Sequence, residues 1–312
     1  MRPFLLLTFF VLGIGCTEKY DKYKNPPEYI KKPTAANKAY FEAYNATLEL
    51  WNVPYEELYI PTTNGIAHVI ISGPKNGEAV VLLHGMNASS TMWYPNIEAL
   101  AKNHRVFAID FILEPGKSYL YNDIESVEKV TAWYKEVLFA LELDSFHLIG
   151  ASRGGWLAVT LALQDQEKIK SLILLSPAQT FTWIKPSTDL IKNIIKLFSS
   201  KEKQIAQSLE SMSSNVANIN EAYLKQYKLG TEMDSENKFV TSMRPFSNSE
   251  LKSLQMPVLV LIGDDDMINE RRTVAIANTL PKGKGEVIKN AGHFLSIDQA
   301  ANVNEKMLDF LK

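Results

Sequence analysis

His147-Leu148-Ile149-Gly150-Ala151-Ser152-Arg153-Gly154-Gly155-Trp156-Leu157-Ala158-Val159 is the stretch around which the chain is organised. Phe146, Leu148 and Ile149 read as a short buried strand, Gly150-x-Ser152-x-Gly154 as a sharp turn, and Trp156 through Leu163 as the helix leaving it. Such a turn reverses within a few residues, so Gly150 and Gly154 cannot carry side chains that would hold the helix away from the strand. Ser152 then stands at the apex in a strained conformation, with its hydroxyl exposed at the carboxyl end of a sheet. Strand, serine and helix together make Ser152 a candidate nucleophile.

A serine hydroxyl is a poor nucleophile at neutral pH and needs a base to take its proton and an acid to orient that base. Of the five histidines, His68 lies inside an expected strand, His84 precedes a tight glycine turn, and His104 and His147 flank short strands. His293 is different, because Asn290-Ala291-Gly292-His293-Phe294 is a loop between the last strand and the final helix, from which a side chain can reach over the sheet end. It is the expected base. Ile262-Gly263-Asp264-Asp265-Asp266 supplies three candidate acids at another strand end, each of which could instead cap the helix that follows.

The rest of the chain supports a doubly wound sheet. Leu58 to Ile60 and Ile66 to Ile71 read as strands joined by a turn at Thr62-Thr63-Asn64-Gly65, and Ala79 to Leu83 as a strand buried on both faces. A helix around Met92 to Ala101, a strand Val106 to Ile109 ending in Asp110, and a long helix over Val127 to Leu141 follow. Later strands are expected at Ser171 to Leu175, Pro257 to Ile262 and Glu286 to Ile288, which makes a mostly parallel sheet with helices on both faces. Ligands bind at the carboxyl ends of such strands, where His84, Asp110, Ser152 and the aspartates after Ile262 all lie. Between Gln179 and Ser249 no buried strand is expected. The helical pattern there, as in Leu190, Ile191, Ile194, Ile195, Leu197 and Phe198, reads as a helical cap inserted at the ligand-binding edge.

The beginning of the chain has a separate character. Phe4 to Ile14 is almost wholly apolar behind Arg2, yet too short for the ~20 residues that span a bilayer, and reads as an export signal. Cys16, the one cysteine, follows at once and can form no internal disulfide. Leu12-Gly13-Ile14-Gly15-Cys16 resembles a bacterial lipoprotein signal, which implies a lipid-modified Cys16 and an exported protein held at the outer face of a bacterial cell membrane; Gly13, where such signals usually carry a leucine-like residue, departs from that pattern. Thr17 to Lys32 is polar, lysine-rich and contains Pro26 and Pro27, as in a tether. Of 33 basic and 35 acidic residues only Arg2 falls in the first fifteen, so the remainder carries 32 against 35. That near balance argues against a nucleic-acid partner. The expected organisation is a signal over 1–15, a tether over 16–36, a core over 37–178, a cap over 179–249, and the rest of the core over 250–312.

These motifs resemble the α/β-hydrolase family, and within it bacterial carboxylesterase-like members with a helical cap. The resemblance runs from about Tyr40 to Leu311 and is carried by Trp93-Tyr94-Pro95-Asn96-Ile97, Gly150 to Gly155, Leu175-Ser176-Pro177-Ala178, Glu250-Leu251-Lys252-Ser253-Leu254 and Asn290 to His293. It implies a Ser152 nucleophile, a His293 base and Asp266 as the acid, with Asp264 and Asp265 as alternatives. It also implies oxyanion donors at the backbone N–H groups of Met86 and Arg153, no cofactor, and a small ester-type substrate; a metal at the aspartates after Ile262 is disfavoured by the residues themselves, since hard cations want about six or more oxygen ligands and the sequence shows no second acidic cluster. Aspartate stands in place of Ser152 in the family's epoxide hydrolases and dehalogenases, which disfavours those chemistries. A lactonase, thioesterase, carbon–carbon hydrolase or haloperoxidase-like enzyme would use the same triad. A membrane-tethered ligand-binding protein without turnover is the alternative of a different class.

Overall fold

The computed structural model describes residues 19–184, 209–233 and 243–312. The apolar stretch expected to be an export signal, Cys16 and the helical pattern from Leu190 to Phe198 lie outside the described residues. Among those described, nine strands form a single sheet: β1 (Tyr55–Thr62), β2 (Gly65–Ser72), β3 (Glu78–Leu83), β4 (His104–Ile109), β5 (Tyr119–Leu120), β6 (Phe146–Ala151), β7 (Ile169–Leu175), β8 (Val258–Gly263) and β9 (Gly283–Ile288). Their order is β1-β2-β4-β3-β6-β7-β8-β9, with the short β5 paired to β2. The β1–β2 hairpin and the β2–β4 pair are antiparallel, whereas every pair from β4 through β3 to β9 is parallel.

The parallel strands are buried on both faces, which is why they read as continuous apolar runs. One face is covered by α4 (Val127–Ala140) and α5 (Arg153–Gln164), where Trp133, Tyr134, Val137, Leu157 and Leu161 pack on the sheet. On the other lie α2 (Ala35–Leu48), α3 (Ile97–Ala101) and the last helix, α10 (Ala300–Phe310), with Tyr44, Trp93, Leu100, Val303 and Met307 buried. The remaining short helices are α1 (Glu28–Lys31), α7 (Asn248–Lys252), α8 (Arg271–Ala277) and α9 (Leu295–Asp298).

Two expectations are corrected. Met92 to Ala101 is not one helix but a 3₁₀ turn (Ser90–Trp93) followed by α3. Pro95 lies between them and lacks an N–H to continue the ladder. The segment expected to be a tether is laid against the domain from Lys19 onward. Tyr20 donates its hydroxyl to Leu141 O at 2.9 Å and meets the Phe107 ring edge-on, and Tyr29 donates to Lys117 O at 2.8 Å and stacks on Tyr119. Three tyrosines among the lysines supply the apolar faces that a composition count overlooks.

The described part of the insert sits at the carboxyl ends of the strands. Its long helix α6 (Glu221–Met233) packs along α2. Buried Gln226 ties the two helices to the loop after β3, giving its amide N–H groups to Ser89 Oγ (2.8 Å) and Tyr40 (3.3 Å) and receiving Thr91 Oγ1–H at 2.8 Å. This helix of the insert is therefore fixed to the core by buried polar contacts.

Candidate active site

β6 delivers Ser152 and α5 leaves it. Ser152 has φ 52° and ψ −119°, a conformation that costs energy for any residue with a Cβ. It is held there by its N–H on Leu175 O at 2.9 Å and by the carbonyl it offers to Ala178 N–H at 3.2 Å. The flanking glycines are obligatory on steric grounds. A methyl group on Gly150 would stand 2.3 Å from Gly154 O, and one on Gly154 would stand 2.3 Å from Leu83 O.

His293 Nε2 lies 2.9 Å from Ser152 Oγ, and His293 Nδ1 lies 3.0 Å from Asp266 Oδ1. A carboxylate can only accept, so Nδ1 carries the proton and Nε2 is left bare to receive the serine hydroxyl. That is the tautomer a general base requires. Both partners are shielded, with the His293 side chain 4% exposed and that of Asp266 fully buried. Burial alone would raise the Asp266 pKa. The His293 ring, by charge and by hydrogen bond, and the Ile268 N–H at 2.9 Å outweigh it and hold the carboxyl below its ordinary range.

Of the three aspartates after β8, only Asp266 meets His293. Asp264 Oδ1 accepts the Ala291 N–H at 3.2 Å, and Asp265 donates its backbone N–H to Ala291 O at 3.0 Å; both brace the histidine loop from below. Asp266 does not cap the helix that follows, α8, whose N-cap is Glu270 without a side-chain cap bond; it closes the turn before it, receiving the N–H of Asn269 at 3.1 Å and its side-chain amide at 3.0 Å.

The loop after β3 runs past the nucleophile. A methyl on Gly85 would lie 3.2 Å from Ser152 Cβ, which brings Met86 to the serine. The other expected donor, Arg153, opens α5, where backbone N–H groups point out of the helix end. His84 pins this loop. Its Nδ1–H is given to Gly85 O at 2.8 Å, and its Nε2 accepts the Phe111 N–H at 2.8 Å. Burial lowers its pKa to about 4, so the ring is neutral at pH 7 and structural, as its place before the glycine turn suggested.

The matching family profile is that of the alpha/beta hydrolase fold, over residues 78–209. The carboxylesterase YbfK of Bacillus subtilis is 32% identical over 282 residues, covering 87% of this chain and 93% of its own. The chain belongs to the α/β-hydrolase fold family. An uncharacterised carboxylesterase, nap, of the same bacterium is 33% identical over 87% of this chain and 91% of its own. The crystal structure of naproxen esterase from Bacillus subtilis superposes with a TM-score of 0.83 at 33% identity, covering 89% of this chain and 99% of that one. The protein is thus a hydrolase of this fold, related over most of its length to carboxylesterases.

Two residues at the site were missed in the sequence. Glu114 is buried in the loop after β4, where it pairs with Arg153 and accepts the Asn87 N–H at 2.7 Å. Its only signal was an acidic residue four positions past the strand-end Asp110. Asp298, buried at the end of α9, receives the Gly292 N–H at 2.8 Å and the Ser214 N–H at 2.9 Å. Nothing in an Asp five residues past His293 announces that it joins the insert to the histidine loop.

Proposed function

We propose that the protein is a serine carboxylesterase acting through Ser152, His293 and Asp266. The observation that carries this reading is the unbroken chain of short contacts from Ser152 Oγ through the His293 ring to Asp266 Oδ1. Ser152 attacks the ester carbonyl as His293 Nε2 takes the hydroxyl proton. The resulting oxyanion is met by the N–H groups of Met86 and Arg153. His293 then protonates the departing alcohol, leaving an acyl group on Ser152. Water, activated by the same ring, attacks the acyl carbonyl, and the carboxylic acid and free Ser152 are released. Asp266 holds the ring in its productive tautomer and stabilises the imidazolium. The carboxylesterase relatives at 32–33% identity support the choice of an ester among the electrophiles this triad can serve. Hydrolysis of a p-nitrophenyl ester series by the purified protein beside Ser152→Ala tests it; turnover of none of the esters by the wild-type enzyme would contradict it.

We further propose that the protein is exported and carries lipid on Cys16, on the strength of the apolar run Phe4 to Ile14 and Gly15-Cys16. Three residue steps separate Cys16 from Lys19, a reach of about 10 Å at most. Lys19 pairs with Glu142, and Tyr20 with Leu141, at the end of α4 that leads into the amino end of β6. The anchor would then hold the amino ends of the parallel strands toward the bilayer and turn Ser152, at their carboxyl ends, away from it. Intact-mass measurement on protein from a bacterial membrane fraction tests this: a mature N-terminus other than Cys16, without lipid mass, contradicts it.

A further inference from the structure

We propose that Glu114 and the side chain of Arg153 form a positioning strut that sets the distance between the two oxyanion donors, a reading that rests on the assignment of Ser152 as nucleophile. The Glu114 carboxylate is shared between two elements. Its Oε1 takes Nη2–H of Arg153, the residue after the nucleophile, and its Oε2 takes the N–H of Asn87, the residue after Met86, at 2.7 Å. Each proposed donor, the N–H of Arg153 and that of Met86, therefore lies in or next to a residue held by the same carboxylate. The pair is enclosed, with side chains 3% and 1% exposed, and the guanidinium lies 5.2 Å from the centre of the Phe111 ring. Glu114 is itself anchored by its backbone N–H on Phe111 O at 3.0 Å.

Two physical arguments give this arrangement a role in catalysis rather than in stability. Burying an ion pair removes both ions from water, and apolar residues of the same volume commonly serve stability as well or better. A carboxylate bridging β4's loop to the first residue of α5 and to the loop after β3 is a poor choice for cohesion alone. Oxyanion stabilisation, in contrast, depends on donors held within about 0.5 Å of their productive positions, roughly 3 Å from the developing charge. The loop after β3 needs such restraint, because Asn87 has φ 57° and could relax to a more favourable conformation that would carry Met86 with it.

The test uses the full-length protein with Glu114→Gln, Arg153→Met and the double variant Glu114→Leu/Arg153→Met. Readouts are kcat and KM on a p-nitrophenyl ester and the inhibition constant of a trifluoromethyl ketone, whose adduct with serine carries an oxyanion. The strut predicts that Glu114→Gln lowers kcat about 10- to 100-fold with KM within about twofold, and weakens the ketone by the same factor. The double variant should lose no more than the worse single one, because both remove one strut. Should Glu114→Gln fail to fold, the double variant, which removes both charges together, carries the same readouts. Wild-type kcat and ketone affinity in a folded variant would overturn the strut, as would a raised KM with unchanged kcat, which would make Arg153 a ground-state binding residue. Ser152→Ala in parallel separates the two claims: full turnover there overturns the nucleophile, while its loss beside a fully active Glu114→Gln overturns the strut alone.

Discussion

Asp298 accepts the backbone N–H of Gly292 at 2.8 Å, one residue before His293, while its other contacts, the Ser213 hydroxyl and the Ser214 N–H, belong to the insert. Phe294 N–H on Met212 O at 2.9 Å and Ser214 Oγ–H on Asn290 O at 2.8 Å complete the seam. His293 is therefore carried on a loop bonded on one side to the aspartates after β8 and on the other to the insert.

Asp298→Ala would leave several of these donors unsatisfied in a buried setting, at about 1–3 kcal/mol each before relaxation. We expect a urea unfolding midpoint lowered by the equivalent of at least about 2 kcal/mol and a kcat reduced about tenfold or more, with Asp298→Asn intermediate in both. Stability and kcat both unchanged in Asp298→Ala would show the seam to be unimportant.

Asp266→Asn should fold normally, because an asparagine oxygen can still receive the Ile268 and Asn269 N–H groups. The same oxygen would still accept His293 Nδ1–H, so the tautomer is kept, but the negative charge that stabilises the imidazolium is lost and kcat should fall by about 10²–10⁴. Asp264→Asn and Asp265→Asn should stay within a few-fold of wild type. Steady-state kinetics on the three variants distinguish them, and a comparable loss in Asp264→Asn would reopen the assignment.

Gly150→Ala would place a methyl 2.3 Å from the Gly154 carbonyl oxygen, a backbone atom that cannot yield without moving α5. We expect destabilisation of about 3 kcal/mol or more, or a folded protein with a displaced Ser152 and little turnover. Thermal unfolding together with kinetics checks this, and wild-type values in both would contradict the account of the turn.

A pH signature should come from His68, which is fully buried on β2 with Nδ1 2.9 Å from Asp110 Oδ2 and Nε2 2.9 Å from Glu57 Oε2. Lys117 pairs with Glu57, and the hydroxyl of Tyr44 donates to Asp110 at 3.0 Å. Burial disfavours the imidazolium, but Asp110 first and then Glu57 more than reverse this, so the His68 pKa is raised. Its contribution to stability is complete below the unfolded value of ~6.5 and is lost as pH rises through the folded value. Glu57, lowered to about 2, and Asp110, lowered as well, contribute above ~4 and lose their effect only as pH falls through their folded values. The stability advantage of the wild type over His68→Gln should therefore be larger at pH 5.5 than at pH 9. Chemical unfolding at both pH values measures it, and an advantage that grows toward pH 9 would contradict the charged state of His68.

The sheet was legible because its central strands are buried on both faces and announce themselves as apolar runs; Val258–Gly263 lies within one residue of the expected Pro257–Ile262. The serine turn was legible because steric demands leave only glycine at Gly150 and Gly154. Choosing Asp266 among three adjacent aspartates needed either the family resemblance or the fold, since the geometry of the turn after β8 decides which carboxylate faces His293. Glu114, Asp298 and the His68 cluster were invisible for a different reason. Each acts through a partner distant in sequence, 39 positions for Glu114 and Arg153, 84 for Asp298 and Ser214 and 42 for His68 and Asp110, with nothing in local periodicity to mark it, so only the packed chain shows what the charge is for.

The most direct test of the account is covalent labelling of the purified full-length protein with a fluorophosphonate, followed by intact-mass and peptide mapping, beside Ser152→Ala and His293→Ala. The account predicts a single adduct on Ser152 that forms rapidly in the wild type, is absent in Ser152→Ala and is strongly slowed in His293→Ala. A folded wild-type protein that takes up no label, or one labelled at a residue other than Ser152, would contradict it.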